Sequence, residues 1–136
     1  MTRGLRIAAA MALALSSASA LGCGYCIEDR VAAVYDQAVV QQALARRHHV
    51  AFIGIEAAAV DENATRTVRG ALEGVRGVDK GTALARAENA AIAVTFDPAV
   101  TSADKVVAAA NKPLARKGIA LAALRIIDQG GKLRDP

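Results

Sequence analysis

His48-His49-Val50-Ala51-Phe52-Ile53-Gly54-Ile55 is the stretch that decides the architecture. A strand with one wet face alternates apolar and polar residues, whereas Val50 to Ile53 is a continuous apolar run. Such a strand is covered on both faces, so the chain must supply a layer on each side of its sheet. Upstream, residues 27–47 contain no Gly and no Pro, and Ile27, Val31, Val34, Tyr35 and Ala38 recur at helical spacing. This predicts one helix over 26–47, with Glu28 and Asp29 in its first turn and Arg46 and Arg47 in its last, as the helix dipole favours.

Downstream, Asp61 is placed to cap a second helix over 62–74 that stops at Gly74. Residues 78–86 and 90–96 read as two strands joined through Glu88-Asn89, the second ended by Phe96-Asp97-Pro98. Thr101-x-x-Asp104 resembles a capping box opening a third helix over 102–117, closed by Gly118. Residues 120–127 form the last strand, and 129–136 read as a flexible tail. The fold class is α+β: a ferredoxin-like βαββαβ antiparallel sheet preceded by one extra N-terminal helix.

The ends and the composition bound the rest. Arg3 and Arg6 precede an apolar run of Ile7 to Leu15, and Ala18-x-Ala20 offers a cleavage site, so 1–20 read as a signal peptide and the location as periplasmic or secreted. A lipoprotein signal would instead end at Cys23 and consume its thiol, but Ala20-Leu21-Gly22 lacks the usual leucine three places before it. Cleavage leaves 136 − 20 = 116 residues: a CxxC segment and leading helix over 21–47, the domain over 48–128, and the tail. Removing Arg3 and Arg6 from 17 basic residues leaves 15 against 13 acidic ones, and the chain has no Trp. Neither charge nor stacking surface points to nucleic acid. No later run is long and apolar enough for a membrane span.

From about Val50 to Ile127 the chain resembles the heavy-metal-associated (HMA) domain, a family that includes copper chaperones, a periplasmic mercury-binding protein and modules of metal-pumping ATPases. The resemblance is carried by Val68-Arg69-Gly70-Ala71-Leu72-Glu73-Gly74-Val75-Arg76-Gly77-Val78, by Ile92-Ala93-Val94-Thr95-Phe96-Asp97-Pro98, and by Ser102 to Ala110 followed by Gly118. It implies a ferredoxin-like fold and a metal ion as ligand, with a metal exporter or another metal-handling protein as partner. The family holds its metal through a Cys-x-x-Cys at the loop opening the first domain helix. Those positions here are Asp61 and Ala64, so the family's ligands do not carry over.

The only two cysteines are elsewhere, in Cys23-Gly24-Tyr25-Cys26 at the start of the added helix. Two thiolates at this spacing suit near-linear Cu(I), with Hg(II) as an alternative. Zn(II) would need two more ligands, for which Asp61 and Glu62 are the candidates. Arg30, one turn after Cys26, would favour its thiolate. An unbroken helix of 22 residues would be about 33 Å long. It would keep His48 and His49 from Cys23 and Cys26 except across subunits, and alternation sets the two histidines on opposite faces of their strand. Packed antiparallel to that strand, the helix would bring its thiols toward residues 58–64.

Three functional classes fit these residues. The first is an exported soft-metal carrier, non-enzymatic and most simply for copper. The second is a thiol–disulfide exchange protein, which Cys-x-x-Cys before a helix permits, although the strand order is not thioredoxin-like. The third is an interaction module whose cysteines form a structural disulfide.

Overall fold

A computed structural model describes residues 26–136. The signal peptide expected over 1–20, and Cys23 and Tyr25, lie outside the described residues. The elements are α1 (Ile27–Ala33), α2 (Gln37–Ala45), β1 (His49–Glu56), α3 (Glu62–Glu73), β2 (Leu84–Arg86), β3 (Ala91–Phe96), α4 (Ala103–Ala115), β4 (Ala120–Ile127) and β5 (Leu133–Arg134). The sheet order is β2-β3-β1-β4-β5, with every pair antiparallel. Without β5, this is the split βαβ arrangement read from the sequence, with β1 at its centre.

β1 has two dry faces. Ala51, Ile53 and Ile55 enter the core under α3 and α4, while Val50 and Phe52 enter a second core under α1 and α2. The helices match these faces. Thr65, Val68 and Leu72 form the buried stripe of α3, and Ala103, Val106, Ala110 and Leu114 that of α4. In β4 the register shifts between Phe52, opposite Arg125, and Ile53, opposite Ala123. The extra residue, Leu124, reverses the alternation. Leu121 and Ile126 therefore share the α3–α4 core, and Leu124 and Ile127 the other.

Several local expectations are corrected. The leading helix is two helices. Asp36, with φ −131° and ψ 115°, accepts from the backbone amides of Ala38 and Val39 at 2.8 and 3.2 Å and starts α2 afresh. The capping carboxylate makes this break in a segment without Gly or Pro. At the joint, Tyr35 stacks on Phe52 with ring centroids 6.2 Å apart.

The strand expected over 78–86 survives only at 84–86, with an isolated bridge from Val78 to Phe96. Between them a turn carries Gly81 at φ +78°, and a short 3-10 turn at Ala87–Asn89 leads into β3. Helix α4 is capped by Ser102, whose hydroxyl accepts from the amide of Lys105 at 3.3 Å, and not by Thr101. The tail expected over 129–136 contains β5. Asp128 closes a turn by accepting from the amide of Gly130 and pairing with Arg134 at 2.7 Å, which returns Leu133 and Arg134 to the edge of β4.

Candidate functional site

Cys26 is the N-cap residue of α1 and is exposed to solvent. It is in the disulfide form. The chain has one other cysteine, Cys23. The next turn of α1 fixes where Cys26 stands. Its carbonyl accepts from the amide of Arg30 at 3.0 Å, and the Arg30 side chain is buried. Arg30 Nη2 donates to the carbonyl oxygens of Ala90 at 2.7 Å and Ile55 at 3.3 Å. The guanidinium lies over Gly54, where a Cβ would approach Nη2 to 2.5 Å. Gly54 is thus the gap in β1 that lets a cation reach two main-chain carbonyls.

The Arg30 guanidinium reaches the sheet at these two carbonyls, contacts that the sequence reading did not foresee. The strand signal that could have shown this was the lone glycine in an apolar run. A second anchor joins Glu28 of α1 to Arg125 of β4 at 3.1 Å.

These contacts seat the first turn of α1 at the end of β1 that leads into the loop before Asp61. A cavity of about 300 Å³ is lined there by Arg30, Ile55, Ala90 and residues 56–60. The leading segment does run antiparallel to β1, in two pieces. Arg30 meets Ile55 at one end, while Val40 and Ala43 of α2 pack with Val50 near the other. Asp61 Oδ1 accepts from the amide of Ala64 at 2.8 Å and caps α3, and Glu62 is exposed in the first turn of that helix.

His49 opens the opposite end of β1, about 20 Å from Ile55 at strand rise, and His48 immediately precedes it. The length of β1 therefore separates them from α1's first turn, even though the leading helix is broken. They face opposite ways, as alternation requires. His49 meets Phe96 edge-on at 5.7 Å and lines a cavity with Ser102 and Arg134. Burial lowers its pKa, more than the opposing charge of Asp128 raises it.

His48 enters a polar cluster that the sequence reading missed. Its Nδ1 lies 2.7 Å from Asp79 Oδ2, and its Nε2 lies 3.9 Å from Asp97 Oδ2. Asp79 also accepts from Thr95 Oγ1 at 2.6 Å and lies 3.5 Å from Arg46. Burial pushes the Asp79 pKa up, but the hydrogen bonds from Thr95 and His48 and the charges of His48 and Arg46 outweigh it, and the net shift is down. Thr95, a polar residue inside an apolar strand, was the available signal. Among the described residues, no three His, Cys, Asp or Glu side chains gather where they could hold a metal ion. No described helix is long and apolar enough to cross a membrane.

No family profile and no curated protein matches the chain. Among solved structures, it is similar to oxidized MerP from Ralstonia metallidurans CH34, with 25% identity and a TM-score of 0.46 over 56% of this chain and 96% of that one. It is also similar to a copper binding domain from HMA7, a P-type ATPase, with 19% identity and a TM-score of 0.45 over 56% of this chain and 93% of that one. The strand order and register given above define the ferredoxin-like fold without either comparison.

Proposed function

We propose that the protein is an exported, non-catalytic carrier of a soft metal ion, Cu(I) before Hg(II), bound between the thiolates of Cys23 and Cys26. The supporting observation is the seat of α1. Arg30 clamps the turn after Cys26 to the carbonyls of Ile55 and Ala90, at the end of the sheet where the HMA resemblance places that family's thiols. The motif has changed segments and kept its end of the molecule. Cys26 is exposed there, as exchange of an ion with a metal exporter or another metal-handling protein requires.

Two thiolates suffice for a near-linear soft ion. Zn(II) is less well served, because one carboxylate oxygen of Asp61 is engaged in capping α3. The binding-competent state is the dithiol, two electrons and two protons from the disulfide, and a thiol reductant supplies both in the assay. Anaerobic titration of the reduced mature chain with Cu(I), read by native mass, is expected to show one ion per chain. Cys23→Ser and Cys26→Ser should each abolish it. A reduced protein that binds no Cu(I) or Hg(II), or binds equally well in both variants, would sink the proposal.

The disulfide form of Cys26 is compatible with two other readings, thiol–disulfide exchange and an interaction module with a structural disulfide. A reduction potential below about −300 mV would mark the bond as structural and remove the exchange reading.

A further inference from the structure

The two helices that cover one face of the sheet differ in charge from the rest of the chain. Residues 62–76 and 103–117, which hold α3, α4 and the turns that end them, carry seven basic residues against three acidic ones. Residues 26–136 as a whole carry 15 against 13, so the remainder has 8 against 10. The helical layer is thus formally +4 and everything else −2.

The cations of this layer are uncompensated. Elsewhere Arg46, Arg125 and Arg134 each pair with a carboxylate. Among the described residues, no carboxylate lies within ion-pair distance of any of the seven. All but Arg69 are exposed. Their placement follows from the helical repeat. In α4, Ala103, Val106, Ala110 and Leu114 face the sheet. Lys105 and Lys112, two turns apart, and Arg116, one turn further, fall on the opposite side. Between the helices runs an open groove of about 590 Å³, lined by Gly70, Gly74 and Ala109 among others, whose charged lining residues are Arg76 and Lys105 alone. A Cβ at Gly70 would meet nothing within 4 Å, so no neighbouring side chain stands over the helix there.

The chemistry of this face selects its partner. A protein partner is held by apolar and aromatic anchors inside a polar rim. The exposed large apolar side chains are Ile27, Tyr35, Val100 and Leu133, and of these only Val100 lines the groove. A bilayer with anionic headgroups needs no such anchor. It attracts cations spread over a broad face, each strengthening adsorption by about fivefold near the surface.

We propose that the outer face of α3 and α4 is an adsorption surface for a lipid bilayer rich in anionic headgroups. Docked in this way, the sheet lies parallel to the membrane, and the end of β1 that seats α1 points along its plane. The inference rests on no chemistry at Cys26.

Flotation of the mature chain, residues 21–136, with vesicles of equal parts phosphatidylglycerol and phosphatidylcholine tests it. Adsorption is expected at low ionic strength and should vanish at about 1 M salt, where the Debye length is about 3 Å. Lys105→Glu combined with Lys112→Glu should weaken it by at least about 30-fold, two cations at about fivefold each. Arg47→Glu combined with Lys132→Glu makes the same change in net charge away from the layer, and should weaken it by less than about threefold. All four positions are exposed, so both variants fold, as unchanged circular dichroism would check.

No adsorption, equal adsorption to pure phosphatidylcholine, or equal loss in the two double variants would each overturn the proposal. A chain that ignores the anionic vesicles but binds soluble polyglutamate through Lys105 and Lys112 would give this face to an acidic protein, and would overturn it too. Failure of Cu(I) binding by the reduced protein would not bear on it.

Discussion

Replacing Gly54 with alanine puts a methyl group into the guanidinium of Arg30. The new Cβ would lie 2.5 Å from Nη2 and 2.8 Å from Cζ, distances no real pair adopts, so the side chain must leave its seat. Its departure breaks the contacts with Ala90 at 2.7 Å and Ile55 at 3.3 Å. Hydrogen bonds to a charged group are worth about 1.5–3 kcal/mol each, the longer one less. Alanine returns about 0.4–1 kcal/mol by restricting the unfolded chain. The net expectation is a loss of about 2–4 kcal/mol.

The informative control is the same change in an Arg30→Met background. Methionine is flexible and uncharged, and the Ala90 carbonyl keeps its bond from the Ile55 amide at 2.8 Å. There Gly54→Ala should be neutral or slightly stabilising, giving a coupling of about 2–4 kcal/mol in the double-mutant cycle. Urea unfolding followed by circular dichroism, at constant m-value, measures all four corners. An equal cost in both backgrounds would show that Gly54 is needed for some reason other than Arg30, and the account of how α1 is seated would fail.

Other expectations concern caps and pH. Asp36→Ala should cost about 1–2 kcal/mol by removing the start of α2, measurable by urea unfolding. Asp61→Ala should cost about 1 kcal/mol and leave Cu(I) stoichiometry at the thiols unchanged; unaltered stability with lost metal would make Asp61 a ligand. Acid should act in two steps on a pH–stability curve. Because burial lowers the His49 pKa, the unfolded chain takes that proton first, so stability declines as pH falls from about 6.5 and levels off below the native value. Asp79, lowered in the fold, contributes fully above its ordinary value of 3.8 and loses that contribution as pH falls through the lower native one. His49→Gln should remove the first step, and Asp79→Asn should reduce the second, which Asp128 shares because the Gly130 amide and Arg134 lower its pKa.

The features legible in the sequence were those written in short-range patterns. The two dry faces of β1 follow from Val50 to Ile55, and the cap at Asp61 and the stop at Gly74 follow from residue type beside a helical stripe. The break at Asp36 involves neither Gly nor Pro. A carboxylate that reaches two amides ahead of it restarts a helix as firmly. Sequence distance places Arg30 beside Cys26, but its contacts with Ile55 and Ala90, 25 and 60 residues away, are written in no short-range pattern. Asp79 falls inside the strand expected over 78–86 and Asp97 in the turn that ends the next strand, and only the pairing of the 77–79 segment with the end of β3 brings both to His48. The last hairpin was visible in principle, since Asp128-Gln129-Gly130-Gly131 is turn chemistry followed by strand residues.

The helical pair α1–α2 has a further consequence for encounters with other molecules. A four-stranded sheet backed by helices on one side offers its other side as a broad, flat apposition surface. In this chain that side is interior, occupied by Val31, Val34, Val40 and Ala43. The helices α1 and α2 take the place of an added layer on that face, and β5 covers the outer edge of β4. If the proposed carrier role holds, encounters with a recipient would be tip-first, across the few loops at one end of the strands. Contacts of that kind bury little area and separate readily.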